Sequence, residues 1–175
     1  MRRISVRGTS GSGKSTFGLA LARRLGLTYI ELDNLHHGPN WNEATAEELR
    51  ALVREAMDGA PGGWVIDGNY DSKLGDLVVG EADTIVWLDL PLSVKVPRVW
   101  RRTMYRIWKD VELWNGNRER VRDLFAGRNS VFYWAFRNHL RHRRLWPKRF
   151  EGDPRLVRLR SQSEASRWLE TVTEE

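Results

Sequence analysis

Cysteine is absent from this chain of 175 residues, and so are long hydrophobic runs. Without cysteine there can be no disulfide, no thiolate metal ligand and no cysteine nucleophile. The first residues lack the apolar stretch of a signal peptide, and no later run approaches the length of a membrane span. We therefore expect a cytoplasmic protein that does not contact membranes and whose activity does not depend on redox state.

The chain is basic, and its basic residues are concentrated in one segment. The formal net charge is +6, with 41% hydrophobic and 30% charged residues, which suits one α/β domain over residues 1–175. Residues 98–149 hold 15 Lys and Arg against 4 Asp and Glu, whereas the rest of the chain holds 14 against 19. This segment suits a nucleoside triphosphate or the backbone of a nucleic acid, although solvated helix faces account for part of its charge.

Residues 8–16 read GTSGSGKST and match the Walker A pattern G-x-x-x-x-G-K-[ST]. A β-type run precedes the motif and a helical pattern follows it. Backbone N–H groups of such a loop, at a helix N-terminus, bind phosphate oxygens. Lys14 then meets the β- and γ-phosphates of a nucleotide, and the Ser15 hydroxyl is a ligand of Mg²⁺. The residues predicted to bind ATP at this loop are Gly8, Ser10, Gly11, Ser12, Gly13, Lys14, Ser15 and Thr16.

Three further carboxylates follow strand patterns. Residues 28–33 read as a strand that ends at Asp33, and a buried apolar strand ends at Asp67. The carboxyl ends of parallel strands face the ligand side of a sheet, so Asp33 is a candidate site residue. Asp67 stands where P-loop proteins hold Mg²⁺, usually through water. Asp89 follows another strand and is either a structural acid at a helix start or a catalytic one.

The loop over residues 34–41 carries His36, His37 and Trp41. Two adjacent histidines cannot both face one metal in regular structure, and no third ligand is evident in the sequence. We therefore expect no metal site in this loop. Contact with a substrate and packing as a surface loop are both open interpretations.

A helix predicted to begin near Ser93 bears arginines along one face. Arg98, Arg102 and Arg106 recur every four residues and repel one another unless an anion lies among them. Guanidinium groups suit bidentate phosphate contacts, so this face is predicted to meet a triphosphate. Residues 109–128 lose regular periodicity, and we predict that they form a mobile cover that excludes water from bound nucleotide.

Two patterns follow in the C-terminal third of the chain. Residues 131–140 form a helical aromatic stripe in which His139 is predicted to be packed rather than catalytic. Residues 141–149 form the basic run that a nucleic acid would have to use. Residues 155–159 alternate as a last strand.

These motifs, in this order, resemble the adenylate-kinase-like small P-loop kinases over nearly the whole chain. The closest resemblance is to the group labelled DNA topology modulation or FlaR-like proteins. It rests on three stretches: Leu32-Asp33 followed by Pro39 and Trp41, the WVIDGNY block at residues 64–70, and residues 83–89. It implies the α/β fold of P-loop NTPases, with a five-stranded parallel sheet and helices on both faces. It also implies an acceptor-binding segment at about residues 33–60 and an arginine-rich lid at about residues 109–128.

The resemblance further implies residue roles on the nucleotide side. Arg98 and Arg102 match the paired arginines that contact the adenine face and the phosphates of ATP. The turn that holds Arg160 and Gln162 lies where those enzymes bind the adenine ring.

The acceptor side departs from the adenylate kinases. Those enzymes grip the phosphate of AMP with one arginine soon after the second strand and another after the Asp-Gly motif. The corresponding stretches here, residues 33–36 and 67–71, contain no arginine. Asp33 instead resembles the acceptor-side carboxylate of shikimate- or gluconate-type kinases. It would orient or deprotonate an acceptor hydroxyl, or position an acceptor phosphate that needs no base.

The leading hypothesis is a kinase that transfers the γ-phosphoryl group of Mg-ATP to a small-molecule or nucleotide acceptor. Such transfer needs mainly positioning and charge neutralisation. The alternative is a nucleotide-regulated nucleic-acid-binding protein, although no helix-turn-helix or other reading motif is recognised. An NTPase switch is a third option, and the oligomeric state is open. The residues predicted to be catalytic are Lys14, Asp33, Arg98 and Arg102, and those predicted at Mg²⁺ are Ser15 and Asp67.

Overall fold

The structure is a computed structural model that describes residues 1–120 and 131–173, with the backbone alone for residues 131–136. Within these residues five strands form one parallel sheet in the order β2-β3-β1-β4-β5. The strands are β1 (Arg3–Arg7), β2 (Thr28–Glu31), β3 (Trp64–Asp67), β4 (Thr84–Leu88) and β5 (Leu156–Leu159). The helices in the described ranges are α1 (Lys14–Arg24), α2 (Leu32–His36), α3 (Ala46–Asp58), α4 (Asp71–Leu74), α5 (Leu77–Glu81), α6 (Leu92–Trp108), α7 (Val131–Arg149) and α8 (Gln162–Thr171).

Helices cover both faces of the sheet because its central strands are apolar on both faces. In β4, Ile85 and Trp87 point to one face while Val86 and Leu88 point to the other, and all four are buried. Helices α3 and α5 pack on the first face, and α1 and α8 pack on the second. Strands of this kind read as continuous apolar runs. The predicted α/β fold, with a five-stranded parallel sheet between helices, is confirmed in the described part of the chain.

Trp146 anchors α7 against the sheet. Its ring is 2% exposed, meets Trp87 edge-on with 5.4 Å between centroids, and stacks on His142 at 4.2 Å. The Arg7 guanidinium lies 5.1 Å from the centroid of the same ring. Burial lowers the pKa of His142 to about 4, so this histidine is a neutral packing residue at pH 7. Burial of one large aromatic side chain stabilises a fold by about 1.5–3 kcal/mol, which holds α7 in place.

The second strand is shorter than predicted. Strand β2 ends at Glu31, and α2 begins at Leu32, so that Asp33 lies in the first turn of a helix rather than at a strand end. Leu32 is 2% exposed and belongs to the core. Leu32 would be buried whether it ended a strand or began a helix, so its apolar side chain does not show where β2 ends. The predicted strand was therefore too long.

Two other predictions concern helices. Residues 45–48 read TAEE, a pattern that predicts a capping box before α3. The structure confirms it, since Thr45 Oγ1 accepts from the Glu48 backbone N–H at 3.2 Å and Glu48 Oε2 accepts from the Thr45 N–H at 2.8 Å. Helix α6 begins one residue before the predicted Ser93. Among the described residues, no helix has the combination of length and apolar character that crossing a membrane requires.

Candidate active site

The phosphate-binding loop joins β1 to α1 at the centre of the sheet. In the sheet, β1 lies between β3 and β4, at the point where the strand order reverses direction. Parallel α/β sheets bind ligands at the carboxyl ends of the strands at such a point. Gly11 and Gly13 have φ values of +79° and +85°, which glycine adopts at little cost. A Cβ atom added to Gly11 would lie 2.6 Å from the carbonyl oxygen of Lys95. Helix α6 is therefore packed directly against the loop.

The loop and the first turn of α1 hold all eight residues predicted at the phosphates. Gly8 and Ser12 are buried, Ser10, Lys14 and Ser15 are half-buried, and Thr16 is exposed. The Ser12 hydroxyl is buried and has no hydrogen-bond partner among the described residues.

Asp67 lies fully buried at the end of β3. The Tyr29 hydroxyl donates to Asp67 Oδ2 at 2.8 Å, whereas Oδ1 is buried without a hydrogen-bond partner in the part of the chain that the structure describes. Burial raises the pKa of Asp67, and the Lys14 ammonium and the Ser15 and Tyr29 hydroxyls oppose this shift. A buried carboxylate oxygen costs free energy unless something binds it. The oxygen donors of Asp67 and Ser15 therefore suit Mg²⁺ and its water shell.

Asp33 faces the lysine of the phosphate loop. Its Oδ2 lies 3.9 Å from Lys14 Nζ, and its Oδ1 accepts a hydrogen bond of 2.7 Å from the Tyr70 hydroxyl. Asn69 links the same stretch to the loop, because its Nδ2 donates to the Gly8 carbonyl at 2.5 Å and its Oδ1 accepts from the Gly8 N–H at 3.3 Å. Neither Asn69 nor Tyr70 is among the site residues predicted from the sequence, although both belong to the WVIDGNY block on which the family resemblance partly rests.

A cavity of about 380 Å³ opens beside the phosphate loop. Arg98 Nη2 donates to Gln162 Oε1 at 3.2 Å across it. Arg160 is exposed, its backbone N–H donates to Glu164 Oε2 at 2.7 Å, and it is not among the described residues that line the cavity. The wall mixes apolar side chains, among them Phe17 and Leu169, with the hydroxyl groups of Ser12, Thr16 and Ser166, one arginine (Arg98) and one amide (Gln162).

The arginine stripe of α6 is partly neutralised by the chain itself. Arg106 Nη1 donates to Glu119 Oε1 at 2.9 Å, so Glu119 supplies one of the anions that the stripe was expected to require. Burial of its guanidinium group lowers the pKa of Arg102, even though the residue as a whole is exposed. Arg106 lowers it further, while Glu119, Asp33 and Glu31 oppose the shift.

Part of the predicted cover contacts the predicted acceptor-binding segment. Trp114 Nε1 donates to Glu31 Oε2 at 2.9 Å, at the end of β2 just before that segment. Asn117, which is 3% exposed, accepts from the Trp41 N–H at 2.7 Å and donates to the Gly38 carbonyl at 2.9 Å. The rest of the predicted cover, residues 121–128, lies outside the described residues.

The two histidines of the acceptor segment lie beside a third possible metal ligand. Helix α2 ends at His36, and His37 is extended, so the regular geometry assumed for adjacent histidines does not apply. An isolated antiparallel bridge pairs His37 with Glu43. One ligand atom from each of the three side chains lies within 4.8 Å of the other two. The expectation that no third ligand is near is therefore wrong, because the turn over residues 38–42 brings Glu43 back.

One ion pair and one buried lysine contact lie behind the phosphate loop. Asp89 Oδ2 accepts from Arg158 Nη2 at 2.6 Å, which favours the structural role for this acid. Lys95 Nζ donates to Thr9 Oγ1 at 2.9 Å and lies 2.6 Å from His139 Nδ1, and both Lys95 and His139 are 3% exposed. The interpretation of His139 as a packed residue agrees with this burial. Burial lowers the pKa of Lys95 to about 8.

No protein-family profile matches the chain. The chain is 30% identical over 115 residues to the cytidylate kinase of Halobacterium salinarum, and the alignment covers 57% of each protein. It is 25% identical over 152 residues to the shikimate kinase of Persephonella marina, and that alignment covers 77% of this chain and 86% of the shikimate kinase. It is also 26% identical over 119 residues to the uncharacterized protein YqaC of Bacillus subtilis, or 63% of this chain and 61% of that one. The aligned part thus spans 61% of YqaC and 57% of the cytidylate kinase.

Solved structures show the same architecture over almost the whole chain. A gluconokinase from Sinorhizobium meliloti aligns with a TM-score of 0.52 and 21% identity over 97% of this chain and 94% of that one. The chain has the fold of a small P-loop kinase. A shikimate kinase from Acinetobacter baumannii aligns with a TM-score of 0.58 and 16% identity over 97% and 89% of the two chains. Identity this low shows the fold alone, and the resemblance to the FlaR-like group stays a prediction.

Proposed function

We propose that the chain is an ATP-dependent kinase that phosphorylates a hydroxyl-bearing small molecule held beside Asp33. The observation that carries this proposal is the distance of 3.9 Å between Lys14 Nζ and Asp33 Oδ2. A phosphate-loop lysine that faces an acidic side chain from another element places a phosphoryl donor beside a group able to accept a hydroxyl proton. The kinase relatives and the kinase fold support the same reaction class.

On the donor side, the chain's own groups bind and neutralise the phosphates. Lys14 and the backbone N–H groups of the loop contact the phosphate oxygens, and Arg98 and Arg102 balance charge from α6. Ser15 and Asp67 would hold Mg²⁺, which when bound supplies charge neutralisation at the phosphate oxygens. The cavity beside Arg98 combines apolar side chains such as Phe17 and Leu169 with a few polar groups, and this mixture suits the adenine ring.

Arg160 has a less direct place in this proposal. Because its side chain is exposed outside the cavity wall, it would reach the nucleotide only after turning toward Gln162.

On the acceptor side, Asp33 would accept the proton of the attacking hydroxyl. The Tyr70 hydroxyl holds Asp33 Oδ1 at 2.7 Å, which leaves Oδ2 directed at the phosphate loop. An acceptor phosphate would call for arginines, and residues 33–36 and 67–71 contain none. The names of two similar proteins, a shikimate kinase and a gluconokinase, give acceptors of the hydroxyl class.

The test is acceptor-dependent formation of ADP from Mg-ATP, across sugar acids, shikimate-like alcohols, nucleosides and nucleoside monophosphates. Lys14→Ala should abolish the acceptor-dependent rate. Asp33→Asn should lower kcat by about 10²–10⁴-fold, because general-base catalysis contributes that much. Asp58→Asn, an exposed acid at the end of α3, is the matched control and should keep full activity.

Two outcomes would count against the proposal. If no compound raises ADP formation above the acceptor-free rate while ATP still binds, the chain is not a kinase for these classes. If Asp33→Asn costs less than about tenfold with the best acceptor, Asp33 is a positioning group and a phosphate acceptor is favoured.

Nucleic-acid binding is the second candidate function. Trp108 is 76% exposed and Tyr105 is 58% exposed on α6, beside an open concavity of about 700 Å³ whose described lining residues all belong to that helix. Against it, Arg149 in the basic run already contacts Asp71 at 3.0 Å and Asp76 at 2.5 Å. DNA binding that persists without ATP and falls steeply with salt would favour this candidate.

A further inference from the structure

His36, His37 and Glu43 form a compact cluster beside the acceptor-binding segment. His36 is 3% exposed, and its Nε2 lies 3.3 Å from Glu43 Oε2. The rings of the two histidines have centroids 4.7 Å apart, and one ligand atom from each residue lies within 4.8 Å of the others. These contacts put two imidazoles and one carboxylate around the same small volume.

The histidines also have unpaired buried nitrogen atoms. Nδ1 of His36 and Nδ1 of His37 are both buried, and neither has a hydrogen-bond partner within the described ranges. A buried polar atom without a partner is costly, and in native structures it usually binds water, an ion or a ligand. Each histidine thus keeps a ring nitrogen that no described group binds, while one ligand atom of each lies within 4.8 Å of a Glu43 carboxylate oxygen, and together these observations point to a bound group.

We propose that His36, His37 and Glu43 bind one divalent ion of the zinc class. Imidazole nitrogens select zinc and its neighbours, whereas Mg²⁺ prefers an all-oxygen, octahedral set. Two histidines and one carboxylate make a typical three-residue zinc set, with a fourth position for water. This site is distinct from the Mg²⁺ site of Ser15 and Asp67, and it does not depend on the proposed kinase activity.

The cluster needs a small adjustment to bind the ion. Ligand atoms around tetrahedral zinc lie about 3.3 Å apart, given bonds of about 2.0 Å, so atoms that now lie up to 4.8 Å apart must approach by at most about 1.5 Å. The Glu43 side chain is 60% exposed and has room for this movement. Lys73 Nζ lies 3.2 Å from Glu43 Oε2 and 2.7 Å from the Ala44 carbonyl oxygen. Zinc would replace this ammonium at Glu43, while Lys73 keeps its bond to Ala44.

The ion would link the end of α2, at His36, to Glu43, which lies three residues before α3. His36 and Glu43 flank a short loop whose backbone contacts Asn117 at Gly38 and Trp41. The His36 ring also lies 4.5 Å from the ring of Tyr70, which holds Asp33. Zinc would therefore hold the segment that carries the proposed acceptor-side carboxylate.

Zinc binding is tested directly on the untagged chain after treatment with EDTA, by competition against a chromogenic chelator. The wild type should bind one zinc ion per chain. His37→Gln and Glu43→Gln should each weaken the affinity at least tenfold. Glu47→Gln, an exposed glutamate four residues further on, is the matched control and should leave the affinity unchanged. Lys73→Met should strengthen binding, because it removes a like charge.

A second readout does not depend on the chelator. Zinc at about 100-fold over its Kd should raise the Tm of the wild type by roughly 5–10 °C, and this rise should disappear in Glu43→Gln. The proposal is overturned if zinc binds Glu43→Gln and His37→Gln as tightly as it binds the wild type. It is equally overturned if millimolar Mg²⁺ displaces the zinc.

Discussion

Replacement of the glycines in the phosphate loop should separate backbone strain from steric overlap. Gly11 and Gly13 share a positive φ, so alanine at either position costs about 1–2 kcal/mol in the left-handed region. They differ in their surroundings, because the nearest atom to an added Cβ at Gly13 is Arg98 Nη1 at 3.7 Å. At Gly11 the added Cβ would lie 2.6 Å from the Lys95 carbonyl oxygen, which belongs to the backbone of α6.

We therefore expect Gly13→Ala to lower the free energy of unfolding by about 1–2 kcal/mol. Gly11→Ala adds the overlap with α6, and overpacking costs typically about 1–3 kcal/mol, so its total should be about 2–5 kcal/mol. Urea unfolding monitored by tryptophan fluorescence measures both values. The direct packing of α6 on the loop would be refuted if the two variants lost the same free energy of unfolding to within about 0.5 kcal/mol, with an unchanged dependence of that free energy on urea concentration (the m-value).

Two further predictions concern buried polar groups. Because burial lowers the pKa of Lys95 to about 8 from 10.5, the unfolded chain binds more protons than the folded chain between these pH values. The free energy of unfolding of the wild type should therefore rise by about 1–3 kcal/mol between pH 8 and pH 10, relative to that of Lys95→Met. Urea unfolding at each pH measures both proteins. Stability curves that run parallel over this pH range would contradict the prediction. Asn117→Ala should lower the free energy of unfolding by about 1–3 kcal/mol, because it leaves the Trp41 N–H without its acceptor. Asn42→Ala, at an exposed position of the same loop with an ordinary φ of −65°, should cost less, and an equal loss from the two variants would show that Asn117 is not a special contact.

Local patterns predicted much of the fold. The strands at Trp64–Asp67 and Thr84–Leu88 are continuous apolar runs because both of their faces are covered, and this property is visible in a few consecutive residues. The phosphate loop was equally clear, because its glycines, lysine and serine act within nine adjacent positions. The capping box of α3 spans only four residues.

The tertiary structure alone decided how these parts meet. A turn brings Glu43 beside His36 and His37, and no pattern in the sequence predicted that turn. Contacts between residues distant in the chain, such as the bond from Asn117 to Trp41, leave no periodic signal. The Walker A motif is thus a property of the sequence, because its chemistry needs neighbours along the chain. The acceptor side is a property of the fold, because its groups come from separate elements that only packing brings together.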